Sequence, residues 1–269
     1  LNREPRFLFE DSDAGRAQIL AAFEEIIAEA DDNLDAWFDV RPRAGVQVKR
    51  VPEFSEEGSA GAYYQPPAMD GSRPGVFFAK LQNVDEHPRF GLRTLAYHEA
   101  IPGHHFQIAL AQQIEGVPMF RKMLPFTAYA EGWALYAERL AHEAGFHPDS
   151  FSELGALQAE MFRAVRLVVD TGMHYKHWSR EQAIEYMFEK TGMARTDVVA
   201  EIERYLVMPG QALAYKTGMM KILQLRERAQ TRLGEQFDIR EFHNVVLMNG
   251  SMPLGILEKV VEDWIESKA

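Results

Sequence analysis

The sequence predicts a mainly α protein, with one small antiparallel β element just upstream of its most informative helix. Three observations predict this. Apolar residues recur at three- and four-residue spacing along most of the chain. Prolines and glycines gather in residues 40–80, between short strand-like runs. From Pro88 onward, one periodic segment follows another with only turn signals between them. The 269 residues are enough for a sizeable core and read as a single domain over 1–269.

Taken in order, residues 14–30 place Ile19, Leu20, Phe23, Ile26 and Ile27 at helical spacing, with Ser12 or Asp13 as the N-cap. In residues 40–80, Pro42, Pro52, Pro66, Pro67 and Pro74 break helices. Between them Val46–Val51, Gly61–Tyr64 and Gly75–Ala79 read as strands of a small sheet or a pair of hairpins. Gly75–Ala79 is a candidate edge strand to which an extended substrate could add, or else a core hairpin strand. Helices are expected over 89–113 (broken or kinked near Pro102), 126–144, 150–176, 180–191, 197–207, 211–233, 239–248 and 254–267. Ser179-Arg-Glu-Gln182 and Asp238-Ile-Arg-Glu241 have the form of capping boxes, and Pro209-Gly210 separates two helices.

Composition removes several functions. A net charge of −11 argues against nucleic-acid binding, because phosphate contact requires a basic surface. Zero cysteines exclude disulfides and thiolate metal sites, so any metal is held by His and carboxylates. No apolar run reaches the ~18 residues of a membrane span. The chain opens on Leu1 and is expected to be part of a longer protein.

His98-Glu99-Ala100-Ile101-Pro102-Gly103-His104-His105 carries the chemistry. It nearly reproduces the His-Glu-x-x-His pattern, in which two His on one helix face bind zinc and the Glu acts on water. Pro102 stands where the second His belongs. In a straight helix, residue i+6 lies about 120° off the face of residue i, and i+7 lies about 10 Å along the axis. Neither His104 nor His105 could then share zinc with His98, since Zn–N bonds are about 2.0–2.1 Å. Pro102 breaks the backbone ladder and Gly103 tolerates unusual dihedrals. If these two residues bulge outward, His104 takes the place of an i+4 ligand. A one-residue bulge would leave His105 at i+6, off the face. The reading is His98 and His104 as ligands, with His105 behind a ligand or touching substrate. Glu131, in the small and apolar segment Ala128–Glu138, is the candidate third ligand. Glu138, two turns on, is a candidate partner for a ligand His. Glu99 is the candidate general base, taking a proton from water and passing it to the leaving amine.

Arg163, Arg166, Asp170 and His174 form a polar stripe on an otherwise apolar helix. Asp170 and His174 are i, i+4 neighbours within hydrogen-bonding reach. Arg166 is read as a bidentate partner for a substrate carboxylate and His174 as an oxyanion stabiliser. Tyr215 is a candidate hydroxyl donor to an oxyanion, with Lys216 beside it as a substrate contact.

The run His98-Glu-Ala-Ile-Pro-Gly-His104-His-Phe-Gln107 with Glu131-Gly-Trp-Ala-Leu-Tyr136 resembles the bacterial family called domain of unknown function 885. Val169-Asp170-Thr-Gly-Met-His174, Trp178-Ser-Arg-Glu-Gln-Ala183, Pro209-Gly-Gln-Ala-Leu-Ala-Tyr215-Lys216 and Asn249-Gly-Ser-Met-Pro253-Leu extend the likeness over roughly residues 60–260. The resemblance implies a mostly helical zinc-peptidase-like domain. It also implies that the chain is the catalytic C-terminal half of a longer, in many members exported, lipoprotein-like protein. An N-terminal half would then supply one wall of the substrate channel. The expected function is a Zn²⁺-dependent hydrolase acting on a peptide or a small amide. The alternatives are an amidohydrolase on a non-peptide amide or ester, and a non-catalytic helical domain whose metal is closed by a fourth ligand such as His105.

Overall fold

In the computed structural model, residues 4–124 and 126–268 are described. Helix α1 (Asp13–Asp32) starts at Ser12, whose hydroxyl accepts the Gly15 N–H at 3.1 Å. Three strands follow, β1 (Val46–Arg50), β2 (Ala62–Gln65) and β3 (Gly75–Ala79), and then α2 (Arg89–Glu99) and α3 (His104–Gln113). The remaining helices are α4 (Met119–Met123), α5 (Thr127–Glu143), α6 (Ser150–His174), α7 (Arg180–Thr191), α8 (Arg195–Val207), α9 (Ala214–Leu233), α10 (Ile239–Leu247) and α11 (Leu254–Lys268). The expected break near Pro102 is the gap between α2 and α3. The short α4 gave no periodic signal. Of the two capping boxes, Ser179–Gln182 forms completely. Asp238 caps through the Arg240 N–H, while the Glu241 side chain pairs with Lys268.

The sheet corrects the antiparallel expectation: it is mixed, in the order β1-β3-β2. β1 runs parallel to β3, with Val46 opposite Gly75 and Arg50 opposite Ala79. β2 runs antiparallel to β3, with Ala62 opposite Ala79 and Gln65 opposite Val76. Gly75–Ala79 is therefore the central strand, not an edge, and its ladder groups are engaged by neighbours on both sides. Its burial has the same origin: Phe77 is wholly buried and meets Phe23 of α1 with ring centroids 4.8 Å apart.

The larger core joins this sheet to α1, α2, α3, α5, α9, α10 and α11, through residues such as Tyr97, Phe106, Trp133, Tyr136, Leu225 and Phe242. A smaller core lies between α6, α7 and α8, around Val169, Met187, Ile202 and Tyr205. Helices α5 and α9 touch backbone to backbone. A Cβ on Gly132 would lie 2.4 Å from the Gly218 Cα, and one on Gly218 would lie 1.9 Å from the Ala128 carbonyl oxygen. This approach brings Tyr215, on the turn before Gly218, alongside Glu131.

Candidate metal centre

The backbone of Ala100–Gly103 solves the spacing problem of the motif. Helix α2 ends at Glu99 and α3 begins at His104, with a cis Ile101–Pro102 peptide between them. Gly103 packs directly on the end of α2: a Cβ there would sit 1.9 Å from the His98 carbonyl oxygen and 2.3 Å from that of Tyr97. Trp133 of α5 donates its indole N–H to the Pro102 carbonyl at 2.9 Å and so pins the bulge from the other side. Because the obstacles to a side chain at 103 are backbone atoms, Gly103→Ala is expected to cost about 1–3 kcal/mol or more. Urea unfolding measures this, and an unchanged midpoint would show that the bulge is not tightly fitted.

Across the Ala100–Gly103 break, ligating atoms of His98, His104 and Glu131 all lie within 4.8 Å of one another. Glu131 Oε2 is 3.1 Å from His104 Nε2 and 3.5 Å from His98 Nε2. The two imidazole rings are nearly perpendicular, at 87°, with centroids 4.8 Å apart. Among the described residues this is the one His/Cys/Asp/Glu group of three or more with such convergence. Two imidazoles and a carboxylate suit a divalent ion with an open position. Burial works against charge on His98, but Glu131 and Glu138 outweigh it and push the ring up to about 9. Burial alone would raise the Glu131 carboxyl; His104 and His98 instead hold it well below its usual range.

Behind the cluster, Glu138 Oε1 accepts from His98 Nδ1 at 2.6 Å, which leaves Nε2 facing Glu131. Carboxylates placed in this way fix the ring and tautomer of ligand histidines. Glu99 is buried, 7% exposed. Burial pushes its carboxyl up, opposed by His98 and His104. The Tyr215 ring lies almost parallel to His98, at 21° and 6.1 Å between centroids. Its hydroxyl accepts from Gln211 Nε2 at 3.2 Å, and Gln211 Oε1 accepts from Arg204 at 3.0 Å. With Gln211 as donor, the phenolic proton is available to another acceptor. Burial, and next Glu131, raise the Tyr215 phenol.

Other expected site residues are placed differently. His105 is turned to Tyr64, whose hydroxyl lies 2.8 Å from its Nδ1, and burial pushes it down to about 4. It lines a separate cavity of about 560 Å³ with Ile27, Arg41, Val46 and Ile101. Arg166 is buried, but its guanidinium is already taken: Nε donates to the Tyr205 hydroxyl at 2.6 Å and Nη2 to Glu201 at 2.9 Å. It lies over the Phe162 and Tyr215 rings at 4.0 and 4.5 Å, so it supports Tyr215 from behind. Burial opposes ionisation of Glu201, yet Arg166 and Arg204 pull that carboxyl down to about 2. Asp170 and His174 do not pair. Asp170 accepts the Gly210 N–H at 3.0 and 3.2 Å, and His174 Nε2 donates to the Tyr205 carbonyl at 3.0 Å. Lys216 is paired with Glu160 at 2.5 Å. The polar stripe on α6 largely ties that helix to α8 and to the turn at Pro209-Gly210.

Two contributors escaped the sequence reading. Gln211 lies within the Pro209–Lys216 run that carries the family likeness, but only its distance from Tyr215 marks its role. Arg163 was visible in the stripe, but its contact with Glu138, 3.4 Å away, belongs to the packing of α6 on α5.

The chain belongs to the family described as bacterial protein of unknown function (DUF885), whose sequence profile matches residues 1–261. It is similar to the crystal structure of a "putative lipoprotein" from Colwellia psychrerythraea, with 53% identity and a TM-score of 0.97, covering 99% of this chain and 46% of that one. A "putative lipoprotein of unknown function" from Shewanella oneidensis shares the fold at 22% identity and a TM-score of 0.79, covering 91% of this chain and 46% of that one. The chain thus spans about half the length of these solved relatives. No curated protein matches it.

Proposed function

We propose that this chain is the metal-binding portion of a zinc-dependent hydrolase, most simply a metallopeptidase. The observation that carries the reading is the convergence of His98, His104 and Glu131 within 4.8 Å, across a bulge that repairs the motif's spacing. These three would hold Zn²⁺, which when bound polarises a carbonyl and makes water a better nucleophile at neutral pH. Glu99 takes the proton of the attacking water and hands it to the leaving amine. Tyr215, its oxygen engaged by Gln211, would donate a hydrogen bond from its phenolic O–H to the developing oxyanion and keep its proton. Glu138 keeps His98 in the ligating tautomer. Cobalt, manganese or nickel also suit such a donor set.

The substrate is a peptide or a small amide. Since β3 is central, an extended substrate could pair only along the outer edges of β1 or β2. The additional length of the solved relatives is the proposed source of the remaining wall of the substrate cleft. Export is proposed from the likeness to the Colwellia protein. No helix among the described residues is long and apolar enough to cross a membrane. A closed structural metal is disfavoured by His105, which faces Tyr64 instead of supplying a fourth ligand.

Elemental analysis of the untagged protein beside His104→Ala and His105→Ala tests the reading. About one zinc per chain is expected in wild type and in His105→Ala, and little in His104→Ala. Zinc lost with His105 instead would reassign the second ligand. No metal in any sample, even after zinc is added back, would end the hydrolase reading.

A further inference from the structure

The carboxylate behind His98 is itself incompletely held. Glu138 Oε1 accepts from His98 at 2.6 Å and lies 3.4 Å from Arg163 Nη2. The two side chains are 4% and 13% exposed. The second carboxylate oxygen, Glu138 Oε2, and the neighbouring guanidinium nitrogen, Arg163 Nε, are both buried without a partner among the described residues. Arg163 Nη1 donates to the Ala159 carbonyl one turn earlier at 3.3 Å, which anchors the far side of the guanidinium.

The two unpartnered atoms are complementary, one a donor and one an acceptor, on groups already in ionic contact. Nε and Nη2 form the edge of guanidinium that grips a carboxylate through two parallel bonds. Buried polar atoms are rarely left unpaired, and where they are, a missing water or ligand-linked rearrangement is the usual cause. A single hydrogen bond to His98 leaves a carboxylate free to swing about its Cγ–Cδ bond; a fork from the other side stops that motion.

We propose that Arg163 is a positioning residue for the metal. Its fork closes on both oxygens of Glu138, directly or through one bridging water, and Glu138 then holds the His98 ring with Nε2 toward Glu131 and His104. This rests on the metal reading above and adds the residue that makes the His98 anchor rigid. Arg163 sits on α6, Glu138 on α5 and His98 on α2, so the clamp joins three helices at the back of the site.

The test is zinc affinity, by competition with a chromophoric chelator, for wild type, Arg163→Gln, Arg163→Lys, Glu138→Gln and the Arg163→Gln/Glu138→Gln double variant. Thermal unfolding of each metal-free protein is recorded alongside. Arg163→Gln is expected to weaken zinc binding about 10–100-fold, the range found for partners of metal ligands. Arg163→Lys keeps the charge but loses the fork, and is expected to fall between the two; it carries the test if the Gln variant does not fold. In the Glu138→Gln background, Arg163→Gln is expected to change affinity less than about threefold, because the group it acts through is gone. A merely structural arginine would instead lower affinity equally in both backgrounds, and that result overturns the proposal. So does wild-type affinity in both folded Arg163 variants. If wild type itself binds no zinc, the metal reading fails and this inference falls with it, an outcome distinct from zinc binding that ignores Arg163.

Discussion

Glu99→Gln is expected to retain about one zinc per chain and to lower kcat by about 10²–10⁴-fold, the usual contribution of a positioned general base. The substitution is nearly isosteric, so metal and fold should survive while the proton acceptor is lost. Glu99 is the last residue of α2, immediately after His98, and is 7% exposed. Its carboxyl is pushed up by burial, the direction that brings a carboxylate toward the working pH of a proton shuttle. The comparison with Glu131→Ala separates the two roles, since Glu131→Ala is expected to lose activity and metal together. The measurement is zinc content by elemental analysis, with kcat on the best substrate from a peptide-library screen. A Glu99→Gln protein within threefold of wild type would remove Glu99 from the chemistry.

The second large effect concerns acid. His243 is fully buried between a donor and an acceptor: its Nδ1 donates to the Trp37 carbonyl and its Nε2 accepts the Tyr136 hydroxyl, both at 2.8 Å. Arg226 also donates to that hydroxyl, at 3.3 Å, so a charged His243 would face a cation across one phenol. Burial, opposed by the Trp37 carbonyl and assisted by Arg226, pushes His243 down to about 3. Burial, and then His142 and Arg93, push His147 down to about 4. An unfolded histidine titrates near 6.5. Below that pH the unfolded chain takes up protons that these two folded rings refuse. Their stabilisation is complete above about pH 6.5 and is lost as pH falls toward about 4 and about 3. These two groups contribute about 2.7 kcal/mol per pH unit to the slope near pH 5, and His105, also pushed down to about 4, adds a further term of the same sign. His98 runs the other way in metal-free protein: its raised value stabilises below about 6.5, and that contribution disappears as pH rises through about 9. Urea unfolding between pH 4.5 and 7 reads the slope. His147→Gln should reduce it by about 1.4 kcal/mol per pH unit, and an unaltered slope would show that His147 is protonated in the folded state.

Much of the fold was legible because its signals are local. The apolar spacing of Ile19, Phe23, Ile26 and Ile27 marks α1, and the Ser179–Gln182 box marks the start of α7 to the residue. A break near Pro102 was legible too, since a straight helix cannot bring His98 and His104 together; its extent over Ala100–Gly103, beyond Pro102-Gly103 alone, was not. The sheet order was not. Pairing β1 with β3 in parallel joins strands separated in sequence by β2, and nothing inside Val46–Arg50 specifies which neighbour it takes. The partners of the α6 stripe were not legible for a related reason. Asp170, His174 and Arg166 find their partners at Gly210, Tyr205 and Glu201, some 30–40 residues away, so their spacing along α6 could not distinguish a catalytic face from a tether. Glu131 and Glu138 were legible because carboxylates amid Ala, Trp and Leu require a buried partner.

Glu131, Trp133 and Glu138 are turns of the same helix. One converges with His98 and His104, one holds the Pro102 carbonyl, and one steadies His98 from behind. All three contacts therefore move as a unit with α5, which cannot slide without disturbing each of them. Occupancy of the site should thus report the seating of α5 against α2 and α3. An engineered copy of this cluster would have to transplant that helix whole, with its glycine contact to α9, because grafting the three candidate ligands alone would leave them without a common frame.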